Sequence, residues 1–356
     1  MRELARRFDA TFPQAQFVIA LGNNDSDCGD YQIPLGGSFL RSVATAWEPL
    51  VNRHGAAPDF RTSFSIDGGY EATLPVAGLR AVVLNDIYAT VRYRDACGPH
   101  ENPAATSFSR LARTLAAGPK SERTWLVTHV PPGIDAFSTA HLAHRLLVVP
   151  FLRSTARERF VDLIDDPRAR VALVIAGHTH KFGYRLSSGA AKGSVPILLA
   201  PSVSPIFLNA PSFLTLDVDA SGNVGNVTET SYLRGRWQRV GDLASLGARA
   251  FDVAALERVQ ARLEKEPALR ERFATLYSGG GVRDINATNW RVYWCAATEL
   301  SAGGFRACTS QGGYSIFTGR ALRVAALGLA LAVGLIVAAF VTVRRRRRAQ
   351  RPDGSS

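Results

Sequence analysis

The sequence predicts a layered α/β domain, followed by a helical region, a membrane-crossing helix and a basic tail. Three observations carry this. Short apolar runs recur, and three of them lead into compact polar clusters: Gly22-Asn23-Asn24-Asp25, Thr128-His129-Val130-Pro131-Pro132-Gly133 and Gly177-His178-Thr179-His180. From about Asp242 the spacing of apolar residues becomes helical, most clearly across Ala255–Tyr277. Val324–Val343 contains no charged residue and is followed at once by Arg344–Arg348.

Taken in order, Gln16–Leu21 is a short apolar run ending at Gly22, read as a buried strand feeding a loop. Leu40–Asn52 has helical spacing. Arg61–Ile66, Glu71–Leu74 and Leu79–Leu84 read as successive strands of one sheet. Phe108–Ala117 is a predicted helix and Thr124–Thr128 a strand that delivers His129. Thr155–Ile164 reads as a helix and Val171–Ala176 as a buried strand that delivers Gly177. Pro196–Leu199 and Phe213–Val218 continue the strand pattern. Polar clusters at strand ends are how layered α/β proteins build sites. The expected division is an α/β domain over 1–235, a cysteine-bearing helical region over 236–318, a membrane helix over 321–343 and a basic tail over 344–356.

With 356 residues, 46% hydrophobic and 20% charged, the chain is globular rather than disordered or fibrous. Its formal net charge is +12, of which Arg344–Arg348 and Arg351, less Asp353, supply +5. The remaining body has no Lys/Arg stripe interleaved with aromatics, so no nucleic-acid partner is expected.

As a helix rising about 1.5 Å per residue, Val324–Val343 would span about 30 Å, the hydrocarbon thickness of a bilayer. The arginines then place the tail in the cytoplasm and the body outside, giving a single-pass protein of the cell membrane. An exported body needs a signal peptide, and Met1–Ala20 is charged and amphipathic rather than apolar. Either the orientation is inverted or the reading frame begins upstream of Met1. Four cysteines fit two disulfides in an exported domain, with Cys295–Cys308 closing a short loop and Cys28–Cys97 as the other pair. Free buried thiols are the competing reading.

Of seven histidines, His129, His178 and His180 sit in tight motifs. Alternate spacing in Gly177-His178-Thr179-His180 aims two imidazoles at neighbouring ions, and imidazole with oxygen ligands suits zinc, iron or manganese. Each motif has a plainer reading. Gly-Asn-Asn-Asp is a common turn, and a His before Pro-Pro is often bonded to backbone. His141 and His144 read as a helix surface. Asp67, Asp86 and Asp95 read as turn residues, with Asn85 and Asp86 as lesser candidates for approaching the cleft.

The order of the three motifs resembles that of the calcineurin-like metallophosphoesterases. It is most similar to their acid sphingomyelinase-like branch, which includes the fungal endopolyphosphatases. Ala200-Pro201-Ser202-Val203-Ser204-Pro205 with Asn209 and Pro211-Ser212-Phe213 is similar to a segment of that branch. The resemblance implies a four-layer α/β/β/α sandwich, here short at its N-terminus, and a centre of two divalent ions (zinc, iron or manganese). Asn23, His129 and His178 would ligate one ion and His180 the other. Asn24 and Asp25 would occupy catalytic positions, Asp25 acting by orienting its loop.

Two departures qualify this. Asn24 stands where most relatives have a histidine that protonates the leaving group, which tilts the implied substrate towards phosphoanhydrides. No Asp-x-His or Gly-Asp motif precedes Gly22, so a bridging carboxylate is missing from the expected set. The implied activity is hydrolysis of phosphodiester or phosphoanhydride bonds in a phosphorylated small molecule, a lipid head group or polyphosphate. The alternative is a catalytically degenerate, membrane-anchored protein that binds phosphate ligands.

Overall fold

In a computed structural model of the chain, the structure describes residues 1–95, 97, 103–141, 147–187, 194–311, 328, 332 and 333. Two sheets and a set of helices are formed from them. The chain opens with α1 (Arg2–Thr11), α2 (Ser38–Val51) and α3 (Phe60–Asp67), then the strands β1 (Tyr70–Thr73) and β2 (Leu79–Val83). Next come α4 (Pro103–Ala117), β3 (Arg123–Val127), α5 (Ala136–His141), α6 (Ser154–Ile164) and β4 (Val171–Ala176). The strands β5 (Gly183–Leu186), β6 (Pro196–Leu199), β7 (Ser212–Val218), β8 (Val224–Leu233) and β9 (Arg236–Asp242) follow. The described helices end with α7 (Val253–Lys265), α8 (Pro267–Tyr277), α9 (Trp290–Thr298) and α10 (Ala302–Gln311).

The larger sheet has the order β1-β2-β3-β4-β6-β5, and the smaller is β7-β8-β9. β2, β3, β4 and β6 run parallel, while β1 and β5 close the two edges antiparallel. Central strands of this kind are covered on both faces, which is why β4 and β6 read as continuous apolar runs. One face packs with α2, α3, α4 and α6 around Leu40, Trp47, Phe60, Phe64, Leu111 and Phe160. The other carries Leu173, Tyr184 and Leu198 into a second core with Val227, Leu256 and Leu263. The parallel strands share one direction, so Leu84, Thr128, Gly177 and Ala200 leave the sheet at the same end of the strands.

Most predicted elements are present, with boundaries shifted by a few residues. Arg61–Ile66 is a helix and not a strand. Its alternation mimics a strand, but Phe60, Phe64 and Asp67 all fall on one buried helical face. Gly68 ends that helix at φ +83° and lies against Leu21, where a side chain would be both strained and crowded. Gln16–Leu21 is not a ladder strand either. Its backbone goes instead to Leu50 and the Tyr70 hydroxyl: Phe17 N–H donates to Leu50 at 3.3 Å, and Ile19 exchanges two bonds with Tyr70. The boundary expected at 235/236 falls in the turn of the β8–β9 hairpin, where Leu233 pairs with Arg236.

Both expected disulfides are formed, Cys28–Cys97 and Cys295–Cys308. The single-pass membrane placement is corrected: among the described residues no helix is long and apolar enough to cross a membrane. Within the expected span 321–343, all but 328, 332 and 333 lie outside the described residues, as does the tail over 344–356. His144 and the side chain of His141 also lie outside them.

Candidate functional site

Two strand ends and the loop after Leu21 bring their polar residues to one point. Oδ1 of Asn23 stands 3.0 Å from Nε2 of His129 and 3.1 Å from Nδ1 of His178. The two ring nitrogens are 3.2 Å apart. His129 follows β3 and His178 follows β4, and Gly177 N–H donates to the His129 carbonyl at 2.9 Å, which fixes their relative position. His178 and His180 both hold left-handed backbone, at φ 66° and 58°. For non-glycine residues this is uncommon and collects at functional sites.

The surroundings hold each donor in orientation. Asn23 Nδ2 donates to Asp30 at 2.7 Å, which turns Oδ1 towards the imidazoles. The Tyr31 hydroxyl lies 3.1 Å from Nε2 of His178. Asp25 accepts from the Gly22 N–H at 2.7 Å and so folds its own loop back rather than reaching the histidines. Asp86 is fully buried and its carboxyl accepts from the backbone of His129 and Val130, at 3.3 and 3.1 Å. Asp86 does not line the cavity; it stands at the start of the Ile87–Ala89 turn, as its reading as a turn residue has it, and holds the His129 loop through backbone. Asp67 is instead buried against Arg110 at 2.9 Å.

Burial sets the electrostatics. It holds His129 down to about 4, with His180 adding to the effect. It holds His178 down to about 3, helped by His129, His180 and Arg92. His180 is lowered too, by burial first, against an opposing pull from the Ser204 backbone. Asp86 is pushed up to about 7 and Tyr31 to about 12, each chiefly by burial. Neutral imidazoles near pH 7 present lone pairs, the form that ligates metal.

Asn23, Asn24, His178 and His180 line one cavity of about 230 Å³, together with Asp30, Tyr31 and Arg92. His180 stands edge-on to Phe207, ring centroids 5.0 Å apart, and its buried Nδ1 has no hydrogen-bond partner. Asn24 is exposed on the rim and Asp25 does not line the cavity. Donors about 2.0–2.1 Å from a tetrahedral zinc lie about 3.3–3.4 Å from one another. The triangle of Asn23, His129 and His178 has nearly these edges, so these three residues fit one divalent ion. Among the described residues no group of three or more His, Cys, Asp or Glu side chains could hold a metal ion, so the fit rests on the Asn23 oxygen with two imidazoles.

Asp30, Tyr31 and Arg92 were not legible as site residues. The first two reach the site only because the loop after Asn23 turns back, its Asn23 carbonyl accepting from Tyr31 N–H at 2.8 Å. The acidic and aromatic Asp30-Tyr31 pair at the end of the Cys28 loop was the signal available.

A parallel-centred α/β sheet that carries a histidine cluster at the ends of two strands defines the class of protein, and known proteins similar to the chain can be set beside it. No family model matches the chain. Over 235 residues, 63% of the chain, it is 22% identical to Sphingomyelinase phosphodiesterase D of Dictyostelium discoideum, covering 49% of that protein. It is 29% identical over 177 residues to Sphingomyelinase phosphodiesterase C of the same organism, covering 49% of this chain and 36% of that one. Over 205 residues it is 25% identical to the Cyclic GMP-AMP phosphodiesterase SMPDL3A of Bos taurus, covering 55% and 41%. The chain is a distant homologue of phosphodiesterases and spans about half or less of the length of these curated relatives. Among solved structures, zinc-complexed Vps29 of Entamoeba histolytica aligns at 18% identity with a TM-score of 0.19, covering 45% of this chain and 96% of that one.

Proposed function

We propose that the chain is a metal-dependent hydrolase of phosphodiester or phosphoanhydride bonds, sphingomyelinase-like or polyphosphatase-like. Asn23, His129 and His178 hold one divalent ion (zinc, iron or manganese), and His180 reaches towards a second. The observation that carries this reading is the meeting of three donor atoms, from two strand ends and the loop after Leu21, within 3.0–3.2 Å. We read the two sheets as the inner layers of an α/β/β/α sandwich. The distant relation to phosphodiesterases favours this over the binding-only alternative.

When bound, such ions supply Lewis acidity and a water activated for in-line attack on phosphorus. The chain's own residues prepare the place. Asp30 keeps the Asn23 oxygen pointed inwards, and Tyr31 fixes the ring of His178 from its far nitrogen. Asp86 and Asp25 hold the backbones of the two loops. Asn24, at the rim, bonds substrate oxygen without supplying a proton. The leaving group must therefore be good by itself or be protonated from solvent. The substrate is a phosphorylated small molecule, a lipid head group or polyphosphate.

The test is metal content together with turnover of bis(p-nitrophenyl) phosphate. His178→Ala and Asn23→Ala are expected to lose bound metal and to abolish hydrolysis. Wild-type metal stoichiometry in both variants would remove the assignment.

A further inference from the structure

Past the histidine cluster the cavity changes character. The Phe151 ring lies 5.3 Å from the His178 ring on one side and 5.6 Å from Cζ of Arg185 on the other. Arg185 comes from β5, lines the same cavity and is only 3% exposed. A guanidinium carries five N–H donors. Arg185 gives one to the Ile134 carbonyl at 2.6 Å and one to the Ala296 carbonyl at 3.1 Å. Its Nε–H is buried without an acceptor. Among the described residues no carboxylate lies within ion-pair distance of it. Asp135, on the same wall, spends an oxygen on the Ser138 N–H at 2.8 Å, at the start of α5. Gly133 makes room for the guanidinium, since a Cβ there would collide with it. A buried charge with spare donors is costly unless an anion completes it.

The aromatic walls agree. Rings around a cavity are a usual receptor for quaternary ammonium groups. Here the protein's own cations already face several of them. Nζ of Lys181, fully buried and paired with Asp284, sits 5.5 Å from the Phe137 centroid and 5.6 Å from that of Tyr277. Arg185 faces Phe151 in the same way. An incoming trimethylammonium would meet like charge at Phe137, Tyr277 and Phe151, which is discrimination by repulsion.

We propose that the cavity beyond Phe151 is a subsite for a second anionic group of the ligand, phosphate or carboxylate, received by Arg185, and that it turns away quaternary-ammonium head groups such as phosphocholine. The reading of this group as part of a substrate rests on the proposed phosphoester site. The subsite itself is a matter of binding and is tested as such.

The experiment is calorimetric titration of the full chain, in metal-free buffer at fixed ionic strength, with inorganic tripolyphosphate, citrate and phosphocholine. Tripolyphosphate should bind at least about tenfold more tightly than phosphocholine, a difference of about 1.4 kcal/mol. Arg185→Met, with its circular-dichroism spectrum unchanged, should remove that advantage. Asp135→Asn should strengthen it, because asparagine caps a helix as aspartate does while removing a neighbouring negative charge. Arg168→Met, at an exposed surface arginine, should change nothing, and an equal loss there would expose mere attraction to a basic protein. Citrate binding like tripolyphosphate assigns the subsite to anionic oxygen in general, and weaker citrate narrows it to phosphate. Phosphocholine binding as tightly as tripolyphosphate overturns the proposal. So does wild-type affinity in both Arg185→Met and Asp135→Asn. If Arg185→Met does not fold, the ligand series and Asp135→Asn decide. Absence of hydrolysis with this binding pattern intact removes the hydrolase reading and leaves the subsite standing; hydrolysis without the pattern does the reverse.

Discussion

Oδ1 of Asn23 stands 3.0 Å from Nε2 of His129, across 106 residues of sequence. An asparagine amide has an acceptor end and a donor end, and only its partners decide which faces a site. Here Asp30 takes the donor end at 2.7 Å. Asp30→Ala frees the amide to turn its NH₂ towards the histidines, where it cannot ligate. Partners of this kind are typically worth about 10–100-fold in metal affinity. Titration of Mn²⁺ into the variant is expected to show a loss of that size with the fold intact. Unchanged affinity would mean that the amide is oriented by something else.

The Cys28–Cys97 disulfide closes the loop that carries Asp30 and Tyr31, joining residues 69 apart, whereas Cys295–Cys308 joins residues 13 apart. In the chain-entropy account the longer loop stabilises more, about 4 kcal/mol against about 3 kcal/mol. Cys28→Ser with Cys97→Ser is therefore expected to lower the denaturant midpoint more than Cys295→Ser with Cys308→Ser. The opposite order would show that native-state packing of the C-terminal helices, not loop length, dominates.

Much of this arrangement was legible in the sequence, and the gaps have physical causes. The strand β4 was readable as the unbroken apolar run Val171–Ala176 and β3 by its apolar Trp125–Val127, and one residue separates each from its histidine. The convergence of Asn23, His129 and His178 could be inferred only from motif order, since no local rule brings these three loops together. Phe60 was the residue whose omission disguised α3: Thr62 to Ile66 alternates, and only Phe60 with Phe64 shows the helical step. Arg185 was illegible as a cavity residue. Nothing in Gly183–Leu186 signals that all four residues are buried, because charged residues are almost never fully buried unless paired.

Lys181 follows His180 directly, and its buried ammonium pairs with Asp284 from the loop between α8 and α9. The pair ties the histidine loop to the C-terminal helices. Removing one partner of a buried pair leaves the other charge stranded, at about 3–5 kcal/mol. Lys181→Met is expected to cost that much in chemical denaturation. A double-mutant cycle with Asp284→Asn should return a coupling of about 1–3 kcal/mol. Strict additivity would show that the two side chains act independently.

Glu229 of β8 is buried, and neither carboxyl oxygen has a hydrogen-bond partner. Burial pushes its pKa from 4.5 up to about 8. The folded state therefore binds this proton more tightly than the unfolded chain does. The associated stability is present in full below the unfolded value and is lost as pH rises through the folded one. Glu229→Gln keeps the shape and cannot ionise, so it escapes that loss. Each tenfold difference in proton affinity between the folded and unfolded states corresponds to about 1.4 kcal/mol. The variant's melting temperature, relative to the native chain, is expected to climb by about 3 °C or more between about pH 5 and about pH 9. Scanning calorimetry at constant ionic strength reads this directly. A difference that stays flat across that window would show that the Glu229 carboxyl ionises in the folded protein as easily as in water.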